Sequence, residues 1–413
     1  MDALIRKYEE KLIQAGLADA KGPGRPIVGG LDYALSWNRT GPETKKLEPV
    51  FTAMAINSLV FFRPAAPYDK IIGFLAKQAL AANRPIQPED CETRTFLHDL
   101  PVVSGFSTPD IITALKHRKC VIISDTGADA GKRLPNIPEG PAIIAHGTVS
   151  PEQGFVVGSS VVFACFVKFF TDYLSHLRCG TASNEMHRIY DALHPWLTNS
   201  PLPAPDLMKG PFQTEESVYM AMIQAGAKTV EYGLVDSYFG NISFCRNQIL
   251  YISQTGSSLN ELAGCIDPVP LDGSSSAGLT ASSELSAHLE TISRTGADAI
   301  LHGHPKFSVI LSMDCDPKEK QACQFSTRCH IHCPKERHVQ GIPIVPGEVG
   351  TGATGLCNTL PPAFERNEDA AIVYGHGLFT LGRNDFTQAF GTLLSVENRC
   401  RTHYMDCVNK LRR

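Results

Sequence analysis

Five prolines fall between residues 195 and 211 (PWLTNSPLPAPDLMKGP). Proline fixes φ and has no N–H to donate, so such a stretch suits neither a helix interior nor a central strand. It reads as a linker. A chain of 413 residues is long enough for two or three domains. The division predicted is a first domain over 1–194, a Pro-rich linker over 195–211 and a second domain over 212–413.

Composition narrows the classes. Hydrophobic residues make up 43% and charged ones 19%, enough apolar material for sizeable cores and too much for a disordered chain. The net charge of −4 gives no electrostatic reason to bind nucleic acid. The most apolar stretch, Gly154 to Val167, is short of the roughly 20 residues that span a bilayer. It is interrupted at Gly158-Ser159-Ser160 and reads as a strand followed by a buried helix, so no membrane is expected as a partner. The first 20 residues carry charges throughout and have no apolar segment of a signal peptide. The 13 cysteines are accordingly expected to be mostly thiols, in a cytoplasmic protein.

The chain opens with an amphipathic helix in which Leu4, Tyr8, Leu12 and Ala15 share a face. Past the linker, a helix is predicted over about 214–226, then short strands at 240–244 and 249–253. A Ser/Gly-rich loop covers 273–279, and Ser282-Ser283-Glu284 opens a helix with Leu285, His288, Leu289 and Ile292 on one face. Strands follow at 299–304, 371–374 and 378–381, and a closing amphipathic helix contains Phe386, Ala389, Phe390, Leu393 and Leu394.

The chemistry gathers in this second half. His302-Gly303-His304 ends an apolar strand. Residues i and i+2 of a strand point to the same side, so both imidazoles can reach one ion. His376 follows another apolar strand between two glycines. Three neutral imidazoles with an open position form a common catalytic zinc arrangement. Glu284, at a helix start, can serve as ligand or as base. A bare His-x-His pair is weak evidence, and spacing alone does not enlist His376.

The ordered set says more than its parts. Gly240-Asn241-Ile242-Ser243, Thr255-Gly256, Ser282-Ser283-Glu284, His302-Gly303-His304-Pro305 and His376-Gly377 with Gly382 occur in that order. So arranged, residues 212–410 resemble the class II aldolase/adducin head domain family, typified by L-fuculose-1-phosphate aldolase. The resemblance implies an α/β fold: an α/β/α domain around a mainly antiparallel central sheet. It implies one divalent metal ion, zinc above all, held by His302, His304 and His376, with Glu284 as fourth ligand and acid/base. It implies that Gly240, Asn241, Ser243, Thr255, Gly256, Ser282 and Ser283 hold the substrate phosphate. The local chemistry agrees, because a helix N-terminus offers free N–H groups to an oxyanion and glycine admits close backbone approach.

The activity expected is that of a metal-dependent lyase of the class II aldolase type. It would cleave or form a C–C bond in a small phosphorylated or carboxylated hydroxy-ketone through a metal-stabilised enediolate. Substrates would be sugar phosphates or hydroxy-keto acids. A carboxyl group with an ordinary pKa of about 4 must be desolvated to shuttle protons well near neutrality. The same fold also serves sugar-phosphate epimerases, a dehydratase and non-catalytic adducin-like scaffolds. Epimerases of the family tend to carry Asp in place of Glu284, which favours the aldolase.

The first half reads as a degenerate tandem copy. Phe61-Phe62-Arg63-Pro64 lies on His302-Gly303-His304-Pro305, and Glu43 precedes Phe61 by 18 residues, as Glu284 precedes His302. Ile143 to Gly147 echoes Val373 to Gly377, putting His146 on His376, with a short strand, Gly158 and an apolar helix expected beyond it. Phe binds no metal and Arg has no free lone pair, so this copy would be inactive. Since aldolases of the family are typically fourfold tetramers, a homo-oligomer is expected, a dimer of two-domain chains mimicking that ring.

Two segments stand outside the resemblance. Cys315, Cys323, Cys329 and Cys333, with His330, His332 and His338, crowd donors into 24 residues and could hold a second metal. The C-x7-C-x5-C-x3-C spacing lacks the paired knuckles of common zinc folds. The Gly-rich run 347–355 does not have the strand–GxGxxG–helix context of a dinucleotide site. Residues 127–131 are expected to form a turn.

Overall fold

The computed structural model describes residues 1–124, 140–199, 202–235, 238–275, 277–364 and 369–413. The turn expected at 127–131 lies outside them. By internal contacts the chain divides into two units, one of residues 1–170 and 184–196 and the other of 171–183 and 197–413. Pro195 sits inside the helix Asn184–Leu197, so the proline-rich stretch begins in the last turn of a helix.

The first unit is built on six strands: β1 (Ile27–Leu31), β2 (Leu35–Trp37), β3 (Ser58–Phe62), β4 (Val102–Ser104), β5 (Cys120–Ser124) and β6 (Ala142–Gly147). Their order is β2-β1-β3-β6-β5-β4. The β4–β5 pair is parallel and the others are antiparallel. Alternation along β3 sends Leu59 and Phe61 into one core with Leu47, Val50 and Ile111. Val60 and Phe62 face the other way, against the helix Pro151–Arg178.

That helix corrects the expectation at 154–167. It runs unbroken for 28 residues, with no strand at its start. Gly158, Ser159 and Ser160 are within it, and both hydroxyls bond back to the Val156 carbonyl, where serine costs a helix little. Gly154 and Gly158 lie one turn apart; a Cβ on them would meet Val60 at 2.7 Å and Phe62 at 2.8 Å. The small residues let helix and sheet approach closely. The helix is long and apolar enough to cross a membrane, but 83% of its most apolar window is buried inside the protein. In the opening helix Asp2–Gln14 the buried face is Ile5, Tyr8 and Leu12. Leu4 and Ala15, expected on that face, are exposed.

The second unit carries eight strands: β7 (Asn241–Arg246), β8 (Ile249–Ser253), β9 (Ile266–Pro270), β10 (Ala299–Gly303), β11 (Arg337–Val339), β12 (Ile342–Val345), β13 (Ala370–Val373) and β14 (Gly377–Gly382). They run β11-β12-β13-β14-β10-β7-β8-β9, with only β12–β13 parallel. One face, with Ile252, Ile300, Val373 and Phe379, packs on the helix Leu285–Thr295 and on Leu356 and Leu360. The opposite face of β10 meets Leu393 of the closing helix Thr387–Leu411, which also packs on β14.

The two sheets share an order: β2-β1-β3-β6-β5-β4 runs as β8-β7-β10-β14-β13-β12 does, with the same pair parallel in each. In register, Phe61 pairs with Ile27 and Ile144, and His302 with Asn241 and Phe379. Gly147 opposite Ser58 corresponds to Gly382 opposite Ala299. His146 therefore corresponds to Leu381 and not to His376, and the helix follows it directly from Pro151. The His-Gly echo was a coincidence of two residues, which strand pairing does not respect.

Candidate metal centre

β10 carries the first histidine. His302 sits between Asn241 of β7 and Phe379 of β14. Its ring stacks on Phe379, with centroids 3.8 Å apart, and its Nδ1 donates to the Leu378 carbonyl at 3.2 Å. That bond leaves the lone pair on Nε2, which faces His304 Nε2 at 3.0 Å. His304 lies just past the strand, where Pro305 ends it, and stacks on Phe239 at 5.6 Å. His376 comes from the tight turn between β13 and β14, in which its N–H donates to Val373. Gly377 must be glycine: a Cβ there would sit 2.5 Å from the Gly303 carbonyl and 2.6 Å from the His302 ring.

Ligand atoms of His302, His304 and His376 all lie within 4.8 Å of one another. Glu284, the N-cap of the helix Leu285–Thr295, brings Oε1 to 3.4 Å from His376 Nε2 and Oε2 to 3.5 Å from His302 Nε2. All four are buried, His376 the most exposed at 8%. Burial, then the neighbouring imidazoles, push His302 well below the ordinary histidine range; burial and His376 do the same to His304. Three imidazoles whose ring nitrogens converge beside one carboxylate suit a divalent ion that accepts nitrogen and oxygen ligands, zinc among them.

The expected substrate residues divide. Thr255 and Gly256 are exposed in the β8–β9 connection, with Gly256 at φ +71°. The Thr255 hydroxyl donates to the Ala281 carbonyl, which brings this turn beside Ser282 and Ser283 at the helix start. Ser283 is exposed, while Ser282 is buried with its hydroxyl accepting from the Glu284 N–H. Gly240, at φ +90°, lies against the His302 carbonyl, where a Cβ would come within 2.5 Å. Asn241 and Ser243 depart from the expectation. Both are buried and their side chains are engaged internally, Asn241 with Glu284 and His288, and Ser243 with His288. The Ser243 hydroxyl faces the interior, because an i, i+2 pair on β7 shares the inward face.

His288 is the residue whose part sequence reasoning missed. Its spacing held a signal, since Glu284 and His288 are one helical turn apart, but an i+4 histidine on an apolar stripe looks like any core residue.

Cys315, Cys323, Cys329 and Cys333 border one cavity of about 520 Å³. They do not converge: among the described residues, the three histidines are the one group of three or more His, Cys, Asp or Glu side chains gathered closely enough for an ion. All thirteen cysteines are thiols.

Residues 220–404 match the model of the family described as class II aldolase and adducin N-terminal domain. Among solved structures, L-fuculose-1-phosphate aldolase from Thermus thermophilus is similar at 24% identity, over 47% of this chain and 95% of that one, with a TM-score of 0.36. A sugar-phosphate aldolase from Thermotoga maritima is similar at 18%, over 47% and 96%, with 0.34. A class II aldolase domain from Thermoplasma acidophilum is similar at 12%, over 49% and 99%, with 0.36. No curated protein matches the chain in sequence.

Proposed function

Residues 220–404 belong to the class II aldolase and adducin family, and from that premise we propose that the chain is a metal-dependent lyase making or breaking a C–C bond in a small hydroxy-ketone that bears a phosphate or carboxylate. The observation that carries this reading is the convergence of three buried imidazoles on one carboxylate. His302, His304 and His376 would hold a divalent ion, with Glu284 beside it. When bound, that ion supplies Lewis acidity to adjacent hydroxyl and carbonyl oxygens of the substrate.

The chain's own residues do the rest. Phe379 and Phe239 stack on the outer faces of His302 and His304 and keep water from them. Low polarity strengthens every charge interaction inside the site. Glu284 Oε1 takes and returns the proton of the reacting hydroxyl. The exposed Thr255-Gly256 turn and the exposed Ser283, beside the first turn of the helix Leu285–Thr295, would face an anionic substrate group at the positive end of that helix.

The first unit fits the same reading as a copy that lost its ligands. Its support is the shared strand order and register, in which Phe61 and Arg63 stand at the places of His302 and His304. Gly147 and Gly382 match in detail: a Cβ on either would meet the carbonyl three residues on, at 2.5 Å and 2.6 Å. A dimer of such two-unit chains remains the proposed assembly.

Glu284→Gln tests the activity. It removes the proton-transfer oxygen while keeping the side chain's shape and one acceptor. Aldol cleavage of a panel of sugar phosphates and hydroxy-keto acids should fall by at least ~100-fold with unchanged folding by circular dichroism. Equal turnover in variant and wild type, or none in either with metal supplied, defeats the lyase reading.

A further inference from the structure

Behind Glu284 lies a chain of three side chains whose hydrogens can be assigned by elimination. His288 is completely buried on the helix Leu285–Thr295. Its two ring partners are a hydroxyl and an amide, neither of them charged, and a completely buried imidazole so placed is neutral, with one N–H and one lone pair. Ser243 Oγ stands 2.7 Å from its Nδ1, and Asn241 Oδ1 stands 2.6 Å from its Nε2.

The Asn241 amide fixes the direction. Its Nδ2 donates to Glu284 Oε2 at 2.5 Å. Turned over, it would press a carbonyl oxygen against a carboxylate oxygen at that distance, an arrangement with no hydrogen between them. Oδ1 therefore faces His288 and can only accept. The hydrogen of His288 must be on Nε2, its lone pair on Nδ1, and the Ser243 hydroxyl must donate. Each link gives its hydrogen toward Glu284: Ser243 to His288, His288 to Asn241, Asn241 to Oε2.

We infer that Ser243, His288 and Asn241 are positioning residues, a one-way hydrogen-bond chain that holds Glu284 Oε2 as an acceptor and turns Oε1, 3.4 Å from His376 Nε2, toward the reacting centre. The purpose of the chain rests on the function proposed above; its direction does not. A donor chain of this kind adds to ligand basicity and locks orientation, and its loss typically lowers metal affinity ~10- to 100-fold.

The first test uses the metal-free protein. Nitrogen-15 histidine spectra should show His288 as the Nε2–H tautomer, its signal identified by its absence in His288→Gln. The Nδ1–H tautomer, or a charged ring at pH 6, overturns the inference. The second test is zinc affinity by competition with a chromophoric chelator. His288→Leu should bind zinc ~10- to 100-fold more weakly. His288→Gln, whose amide can accept from Ser243 and donate to Asn241, should recover most of it. Wild-type affinity in His288→Leu overturns the positioning role; should that variant fail to fold, the tautomer and His288→Gln, expected to match wild type, decide. A wild-type chain that binds no zinc would instead defeat the preceding functional proposal, and the tautomer would still decide the direction of the chain.

Discussion

The Nε2 atoms of His302 and His304 stand 3.0 Å apart in the interior. With His302 Nδ1 committed to the Leu378 carbonyl, its Nε2 presents a lone pair to its neighbour. Two such nitrogens tolerate a single shared proton or a shared cation, and nothing else of that size. Burial disfavours charge on either ring, so a divalent ion can enter without displacing a proton from an imidazolium.

Elemental analysis of protein purified without chelator should accordingly find about one divalent ion per chain. The His302→Ala/His304→Ala double variant should lose it. At 100-fold excess over the dissociation constant, the bound ion adds about 2.7 kcal/mol of stability, visible as a lowered midpoint on chelation. An ion retained in the double variant would place it elsewhere.

Gly377 and Gly391 should respond oppositely to alanine. At Gly377 the new Cβ collides with the Gly303 carbonyl and the His302 ring, so Gly377→Ala should cost about 1–3 kcal/mol in urea unfolding and weaken zinc binding. Gly391, inside the helix Thr387–Leu411, has nothing within 4 Å of an added Cβ. Gly391→Ala should stabilise by up to ~1 kcal/mol.

Asp90 gives a pH dependence of known sign. It caps the helix Cys91–Leu97 through Thr93 yet is fully buried, and burial raises it from 3.8 to about 6, against the opposing Thr93 bonds. Between those values the folded chain holds a proton that the unfolded chain has released, so this group's contribution weakens as pH rises from about 4 to about 6 and is level above. The loss is on the order of 3 kcal/mol. Asp90→Asn keeps the cap and removes the ionisation. The wild-type-minus-variant difference in urea stability should change across that window; a difference constant from pH 4 to 7 would contradict it.

Burial lifts the Cys120 and Cys400 thiols to about 12 and raises Cys165 as well, whereas Cys179 is exposed. Thiolates are the reactive form. Iodoacetamide at pH 8 should therefore modify Cys179 in the native protein and reach the other three only after denaturation, as read by peptide mass spectrometry. Early modification of Cys120 or Cys165 would mean that the first unit opens locally.

Local periodicity made much of the centre legible. The strand repeat put His302 and His304 on one side, and the helix start at Ser282-Ser283 placed Glu284 at a cap. The same periodicity failed wherever pairing was non-local. The His146 echo matched two letters, while the pairing of β3 with β6 put that residue opposite Leu59. The helix Pro151–Arg178 hid behind Gly158-Ser159-Ser160, read as a break, because the close approach of β3 that needs a glycine at 158 is a tertiary fact.

The sequence by itself determined the donor types, their order, and the strand end and helix cap that carry His302, His304 and Glu284, since those depend on neighbours within a turn or a pleat. Only the tertiary structure decided that His376 joins them. Its turn reaches His302 because β14 pairs with β10 across some 75 residues of chain, a register set by which faces are buried. Only the tertiary structure turned Asn241, Ser243 and His288 inward onto Glu284. A side chain's hydrogen-bond partner is fixed by whatever burial leaves within 3 Å of it, and that neighbourhood is assembled from segments the sequence keeps far apart.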